Sequence, residues 1–109
     1  KKMKNLITIL LLMFAFIASA QDLTLMHINA KWNQDNNYKH LRGIKNVRVQ
    51  MAFLEDQAVS LKTQIKSVPF IILIDGKGKP RGQWQADLTF KLNVPQEEIQ
   101  EWVNRILMN

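Results

Sequence analysis

The segment SVPFIILIDGKG, Ser67 to Gly78, constrains the fold of this chain more than any other. The residue before a proline avoids helical geometry, so Val68-Pro69 closes whatever precedes it. Phe70 to Ile74 is a run of strand length with no polar residue at any alternate position, which a strand permits only when both of its faces are covered. Asp75-Gly76 with Gly78 supplies hairpin turn chemistry, so a strand over about Pro80 to Gln85 returns antiparallel beside it. An edge position tolerates Pro80, and Lys77, Lys79 and Arg81 make that edge a solvated, charged one that resists pairing with another sheet.

The first 20 residues stand apart from this domain. Lys1, Lys2 and Lys4 precede the apolar run LITILLLMFAFIA, which ends in Ala18-Ser19-Ala20, the small-x-small pattern of a signal-peptidase site. The run falls short of the roughly 20 residues that span a bilayer, and the polar Gln21-Asp22 offers no stop-transfer flank. The expectation is a cleaved signal over residues 1–20, export to the periplasm or beyond the cell, and no stable membrane anchor afterwards. Lipidation at the cut is excluded, because Gln21 stands where a cysteine is required. Residues 21–109 are enough for one domain with one core.

Three of the charges behind the net +6 are the leading lysines, so the domain carries only about +3. A mildly basic surface without interleaved aromatics is no nucleic-acid footprint. The chain holds no cysteine, although small domains in oxidising compartments often depend on disulfides. Packing alone must stabilise it. Thiolate ligands and thiol nucleophiles are absent, and the spacing of His27 and His40 does not suit zinc, so neither a metal nor a cofactor is expected. Ser60, Thr63 and Ser67 have no His-Asp constellation around them, which leaves hydrolase chemistry without support.

The remaining elements follow from periodicity. Leu23 to Ala30 reads as a strand with the polar pair His27 and Asn29 on one face. Asn33, Asp35 or Asn36 can cap a following helix of two or three turns, with Tyr38, Leu41 and Ile44 as its apolar stripe and Gly43 at its end. Val47 to Leu54 reads as a strand that passes into a core covered on both faces. Asp56 is the expected N-cap of a helix carrying Ala58, Leu61 and Ile65. Asn93-Val94-Pro95-Gln96 reads as a capping box, followed by Glu97 and Glu98 near the positive helix end and by Ile99, Trp102, Val103 and Ile106 at helical spacing. The order β-α-β-α-β-β-α, with a right-handed crossover between two parallel strands, predicts an α/β domain: a four-stranded mixed sheet with helices on both faces.

That order, with Trp32 at the end of the first strand and Ile65-Lys66-Ser67-Val68-Pro69 before the third, resembles the thioredoxin-like family over nearly the whole domain. In that family the first strand leads into Trp-Cys-Gly-Pro-Cys at a helix N-terminus, and a cis-proline faces the dithiol across a cleft. The resemblance implies a thioredoxin fold and a cis Val68-Pro69 bond. Asn33 and Asn36, in the string WNQDN, stand where the family has its two cysteines, and His27 stands where it has a buried acid. Disulfide exchange needs a thiolate to attack sulfur, and an amide cannot replace it. Thiol-disulfide oxidoreductase activity is therefore excluded for the chain alone.

Two functions are compatible with these residues. One is a non-catalytic module that holds an extended peptide or an envelope protein in a groove lined by Trp32, Asn33, Asn36, Val68 and Pro69, the chain itself being monomeric. The other is an enzyme of the same fold that uses a small-molecule thiol such as glutathione, hydrogen-bonded by Asn33. For Asn33, Asp35 and Asn36 the alternative role is helix capping, and for His27 it is that of a hydrogen-bonded core residue.

Overall fold

A computed structural model describes residues 22–108 of the chain; the expected signal segment lies outside the described residues. Four strands, β1 (Thr24–Asn29), β2 (Arg48–Phe53), β3 (Phe70–Ile74) and β4 (Pro80–Gln85), form one sheet in the order β2-β1-β3-β4. β1 and β2 are parallel, while β3 runs antiparallel to both β1 and β4. Helix α1 (Val59–Lys62) lies in the crossover between β2 and β3, and α2 (Gln96–Met108) ends the domain. This is the thioredoxin-like arrangement, and the Val68–Pro69 peptide bond is cis.

Alternation along β1 and β3 divides the core in two. Met26 and Ile28 join Phe70, Ile72 and Ile74 under Leu61 and Ile65 on one face. Leu25 joins Ile71 and Leu73 under Tyr38, Leu41, Ile44, Ile99 and Val103 on the other. The wholly apolar β3 is buried at all five positions because it lies between β1 and β4 with a layer on each side. At the β3–β4 turn, Asp75 Oδ1 accepts from the N–H groups of Lys77 (2.9 Å) and Lys79 (3.0 Å). Gly78, at φ 80°, occupies the left-handed region that favours glycine.

Several local expectations are corrected. The first helix is not α-helical: the chain makes 3₁₀ turns at Lys31–Asn36 and Leu41–Gly43, with Asn37 extended between them. An α-helix would bond the N–H of Tyr38 to the carbonyl of Gln34. That N–H instead donates to His27 Nε2 at 3.0 Å, and Gln34 O takes the N–H of Asn37 at 3.0 Å. Among the described residues no side chain caps either run, so Asn33, Asp35 and Asn36 are not helix caps. Gly43 has no positive φ; the amide of Gln96 packs where its Cβ would stand.

The second helix is a single turn whose N-cap position is Ala58, because Asp56 lies in a 3₁₀ turn (Leu54–Asp56) and is drawn to Lys31 Nζ at 3.5 Å. β2 is not covered on both faces: it is an edge strand, and Arg48, Gln50 and Met51 are exposed. Among the described residues Asn93 and Gln96 exchange no capping bonds; Gln96 Nε2 instead donates to the carbonyl of His40 at 2.9 Å and so ties α2 to the 3₁₀ region.

Candidate functional site

The C-terminal end of β1 is where the sequence placed a site, and a buried asparagine network occupies it. Asn29 and His27 share a face of β1, as period-2 alternation requires. Asn29 Oδ1 accepts from the N–H of Ala30 at 2.9 Å and from Asn33 Nδ2 at 3.0 Å. Asn29 Nδ2 donates to the carbonyl of Asn33 at 2.9 Å and to Asn37 Oδ1 at 2.7 Å. All four hydrogen-bonding positions of this buried amide are used.

Asn33 is the hub. It is 4% exposed. Its Nδ2 faces three acceptors, Asn29 Oδ1, the carbonyl of Phe90 at 3.1 Å and, more weakly, that of Val68 at 3.4 Å, while its Oδ1 accepts from Asn36 Nδ2 at 2.8 Å. The side chain thus joins the end of β1, the segment before β3 and the loop before α2. Both of its amide protons are spent internally, which works against Asn33 as the donor to a bound thiol.

Of the other expected site residues, Val68 and Pro69 are buried and Asn36 is half-buried. Trp32 is 67% exposed. Its ring meets that of Phe90 edge-on, with centroids 5.1 Å apart and planes at 86°. Periodicity does not single out Phe90 as the partner of Trp32. Phe90 is exposed and has φ 61°, a conformation a bulky residue adopts only when its surroundings impose it. Here the surroundings are explicit. Asp87 Oδ1 accepts from the N–H of Thr89 at 2.8 Å and from its hydroxyl at 2.5 Å, and the N–H of Phe90 donates to the carbonyl of Asp87 at 3.1 Å. The hydroxyl of Ser67 also donates to that carbonyl, at 3.1 Å. The one sequence signal for this loop is Asp87-x-Thr89, the spacing of an aspartate turn.

Beside the aromatic pair a cleft of about 660 Å³ opens between residues 35–40 and 91–97, with Asp35, Tyr38, His40, Lys91, Asn93 and Glu97 in its walls. Tyr38 donates its hydroxyl to the carbonyl of Val94 at 2.7 Å. Burial raises the phenol's pKa, and Glu97 and Glu98 add to the rise. His27, bonded to the main chain of Tyr38, is 1% exposed; burial lowers its pKa, and its own main chain acts less strongly in the opposite sense. Nε2 accepts from Tyr38, so Nδ1 carries the proton of the neutral ring, and it has no partner among the described residues. The histidine is a core residue without a nucleophile beside it. No group of three metal-ligating side chains occurs among the described residues.

No protein-family model matches the chain, and comparison with curated proteins gives no match. Among solved structures the chain is similar to a designed protein, with a TM-score of 0.57 and 14% identity over 87% of this chain and 89% of that one. It is also similar to a disulphide isomerase from Xylella fastidiosa Temecula1, with a TM-score of 0.48 and 16% identity over 94% of this chain and 88% of that one. At 14% identity the likeness to the designed protein bears on the fold alone.

Proposed function

We propose that this chain is an exported, non-catalytic binding module that uses the end of its sheet beside the cis-proline to hold an extended peptide or a segment of an envelope protein. The observation that carries this reading is a closed amide network lying next to an exposed aromatic platform. Asn29 uses all four of its hydrogen-bonding positions and Asn33 both of its amide protons within the network, whereas Trp32 and Phe90 present apolar surface to solvent. The left-handed backbone at Phe90 adds weight, since such conformations cluster at binding sites.

In this mode Trp32 and Phe90 supply flat contact area, Asn36 and the main chain of Val68 and Pro69 form the margin, and Asn33 holds the three segments in place from below. Amide chemical-shift mapping with extended peptides tests it. Shifts should gather at residues 32–37, 67–69 and 88–92. Trp32→Ala should weaken binding while the melting temperature stays nearly unchanged, because the ring is mostly in solvent. Shifts confined to Lys77–Arg81, or to the outer face of α2, would refute the reading.

A further inference from the structure

The two edges of the sheet are built differently. At β4 the edge begins with Pro80 and a register irregularity at Leu73/Ile74, and Lys77, Lys79 and Arg81 surround it. These are devices that prevent a sheet from pairing with another. β2 (RVQMAF) carries no proline and no register irregularity, and its only charge is Arg48 at its start. Among the described residues nothing pairs with its outer side.

The free groups on that side can be identified. The N–H of Arg48 donates to the carbonyl of Leu23 at 2.8 Å, and the parallel register with β1 then runs unbroken. In such a ladder Arg48, Gln50 and Ala52 turn both main-chain groups toward β1, so Val49, Met51 and Phe53 turn theirs outward. Three outward residues centred on Met51 form a self-complementary set. An antiparallel copy placed on a two-fold axis at Met51 exchanges both bonds between Met51 and its counterpart and pairs Val49 with Phe53 on either side. The Phe53 carbonyl already accepts from Gln57 Nε2 at 3.0 Å and has a second lone pair for the copy.

Side chains and charges favour the same orientation. Val49, Met51 and Phe53 share one face of the sheet, and Met51 is 43% exposed, so the pairing would bury an apolar strip of both copies. Lys45 and Arg48 lie at the start of β2 and Glu55 and Asp56 just past its end. Antiparallel pairing sets the basic start of one strand beside the acidic end of the other, whereas parallel pairing sets like charges together.

The geometry points to β2 as a homodimer interface in which two copies of this chain join their sheets antiparallel across a two-fold axis at Met51. This surface is separate from the aromatic platform, and the inference does not rest on the peptide-binding reading. A single pair of short strands buries less than the roughly 1,200 Å² of a standard stable interface, so the dimer is weak and concentration-dependent.

Sedimentation velocity on the purified chain up to about 1 mM should show a monomer–dimer equilibrium, with main-chain amides of Val49, Met51 and Phe53 gaining exchange protection as concentration rises. Met51→Lys and Met51→Glu should each be monomeric throughout, and mixing them in equal amounts should restore the dimer, because the axis puts position 51 opposite itself. The protection measurement on the unaltered chain decides the matter should either variant fold poorly. A chain that stays monomeric, amides at 49, 51 and 53 protected at every concentration, variants that associate like the parent, or a mixture that does not reassociate would each overturn the proposal. So would capture of a foreign extended peptide on this edge in place of self-association.

Discussion

Replacing Asn33 tests whether the network, and not the surface above it, holds this end of the domain together. The amide has two protons to share among Asn29 Oδ1, Phe90 O and Val68 O, and its oxygen accepts from Asn36, so Asn33→Ala removes three hydrogen bonds at a time. At about 1 kcal/mol net for each, the loss is about 3 kcal/mol. For a domain of this size 1 kcal/mol shifts the melting temperature by about 4–8 °C, so the variant should melt roughly 12–24 °C lower. Asn36→Ala, which removes a single part-buried bond, should cost only about 1 kcal/mol. Asn33→Asp keeps the shape and reverses the sign. It sets a carboxylate against the carbonyl oxygens that the amide now satisfies, so near neutral pH it should cost more than alanine does. Burial raises such an aspartate's pKa above its unfolded value; the folded state then binds the proton more tightly, and stability returns as pH falls. Thermal melts of the three variants between pH 4 and pH 8 provide the assay. An Asn33→Ala loss no larger than that of Asn36→Ala, or an Asn33→Asp variant that is not stabilised by acid, would refute the hub.

Two further outcomes follow from particular atoms. The folded state holds His27 neutral, with a pKa below its ordinary value; on acidification below about 6.5 the unfolded chain takes up a proton that the folded chain refuses. Stability should therefore fall with pH at up to about 1.4 kcal/mol per unit until the folded pKa is reached, and melts of His27→Gln should lose this component. Gly82→Ala would place a Cβ 2.7 Å from Trp102 Nε1, which donates to the carbonyl of Arg81 at 2.6 Å. It should destabilise by about 1–3 kcal/mol and alter tryptophan fluorescence, and Trp102→Phe in the same chain should recover part of the loss.

Sequence reasoning succeeds where a single local cause decides the structure. Phe70–Ile74 is uniformly apolar between a proline and an Asp-Gly turn, and no arrangement other than a central strand and hairpin satisfies both. The α2 stripe of Ile99 and Val103 repeats at helical spacing and becomes the buried face. It fails where partners are distant. Asn33, Asp35 and Asn36 carry the right chemistry for a helix cap, and nothing near them reveals that Asn33 bonds to a carbonyl 57 residues away. The helix it would have capped is lost because a histidine on the preceding strand takes the N–H of Tyr38. The apolar end of β2 reads as doubly covered, but the strand order makes it an edge. Trp32 and the Val68-Pro69 segment thus mark the candidate region in the sequence, whereas what fills it, the Asn29–Asn33 network and Phe90 beside Trp32, depends on contacts that close only in three dimensions.

Placing cysteines at positions 33 and 36 should not create a redox centre, and the reason lies in the same geometry. Activation of a thiol in this fold depends on a helix N-terminus that stabilises the thiolate, and on solvent access for the attacking sulfur. Here the chain forms a 3₁₀ run with a non-helical residue at Asn33 itself, so few aligned peptide dipoles face that position. The side chain also lies 4% exposed beneath carbonyl oxygens of Val68 and Phe90, which repel a negative sulfur. Desolvation and these carbonyls both raise a thiol's pKa. In Asn33→Cys/Asn36→Cys, the thiol at 36, which is half-buried and part-way to solvent, should react with a disulfide reagent several-fold faster than the one at 33. Insulin reduction by dithiothreitol should proceed at the uncatalysed rate. Single-cysteine variants titrated between pH 5 and pH 10 separate the two sites. A thiol at position 33 that is ionised near pH 7 and reacts faster than the one at 36 would show that the surroundings of this position leave thiol chemistry open, and would refute the argument from burial and backbone geometry.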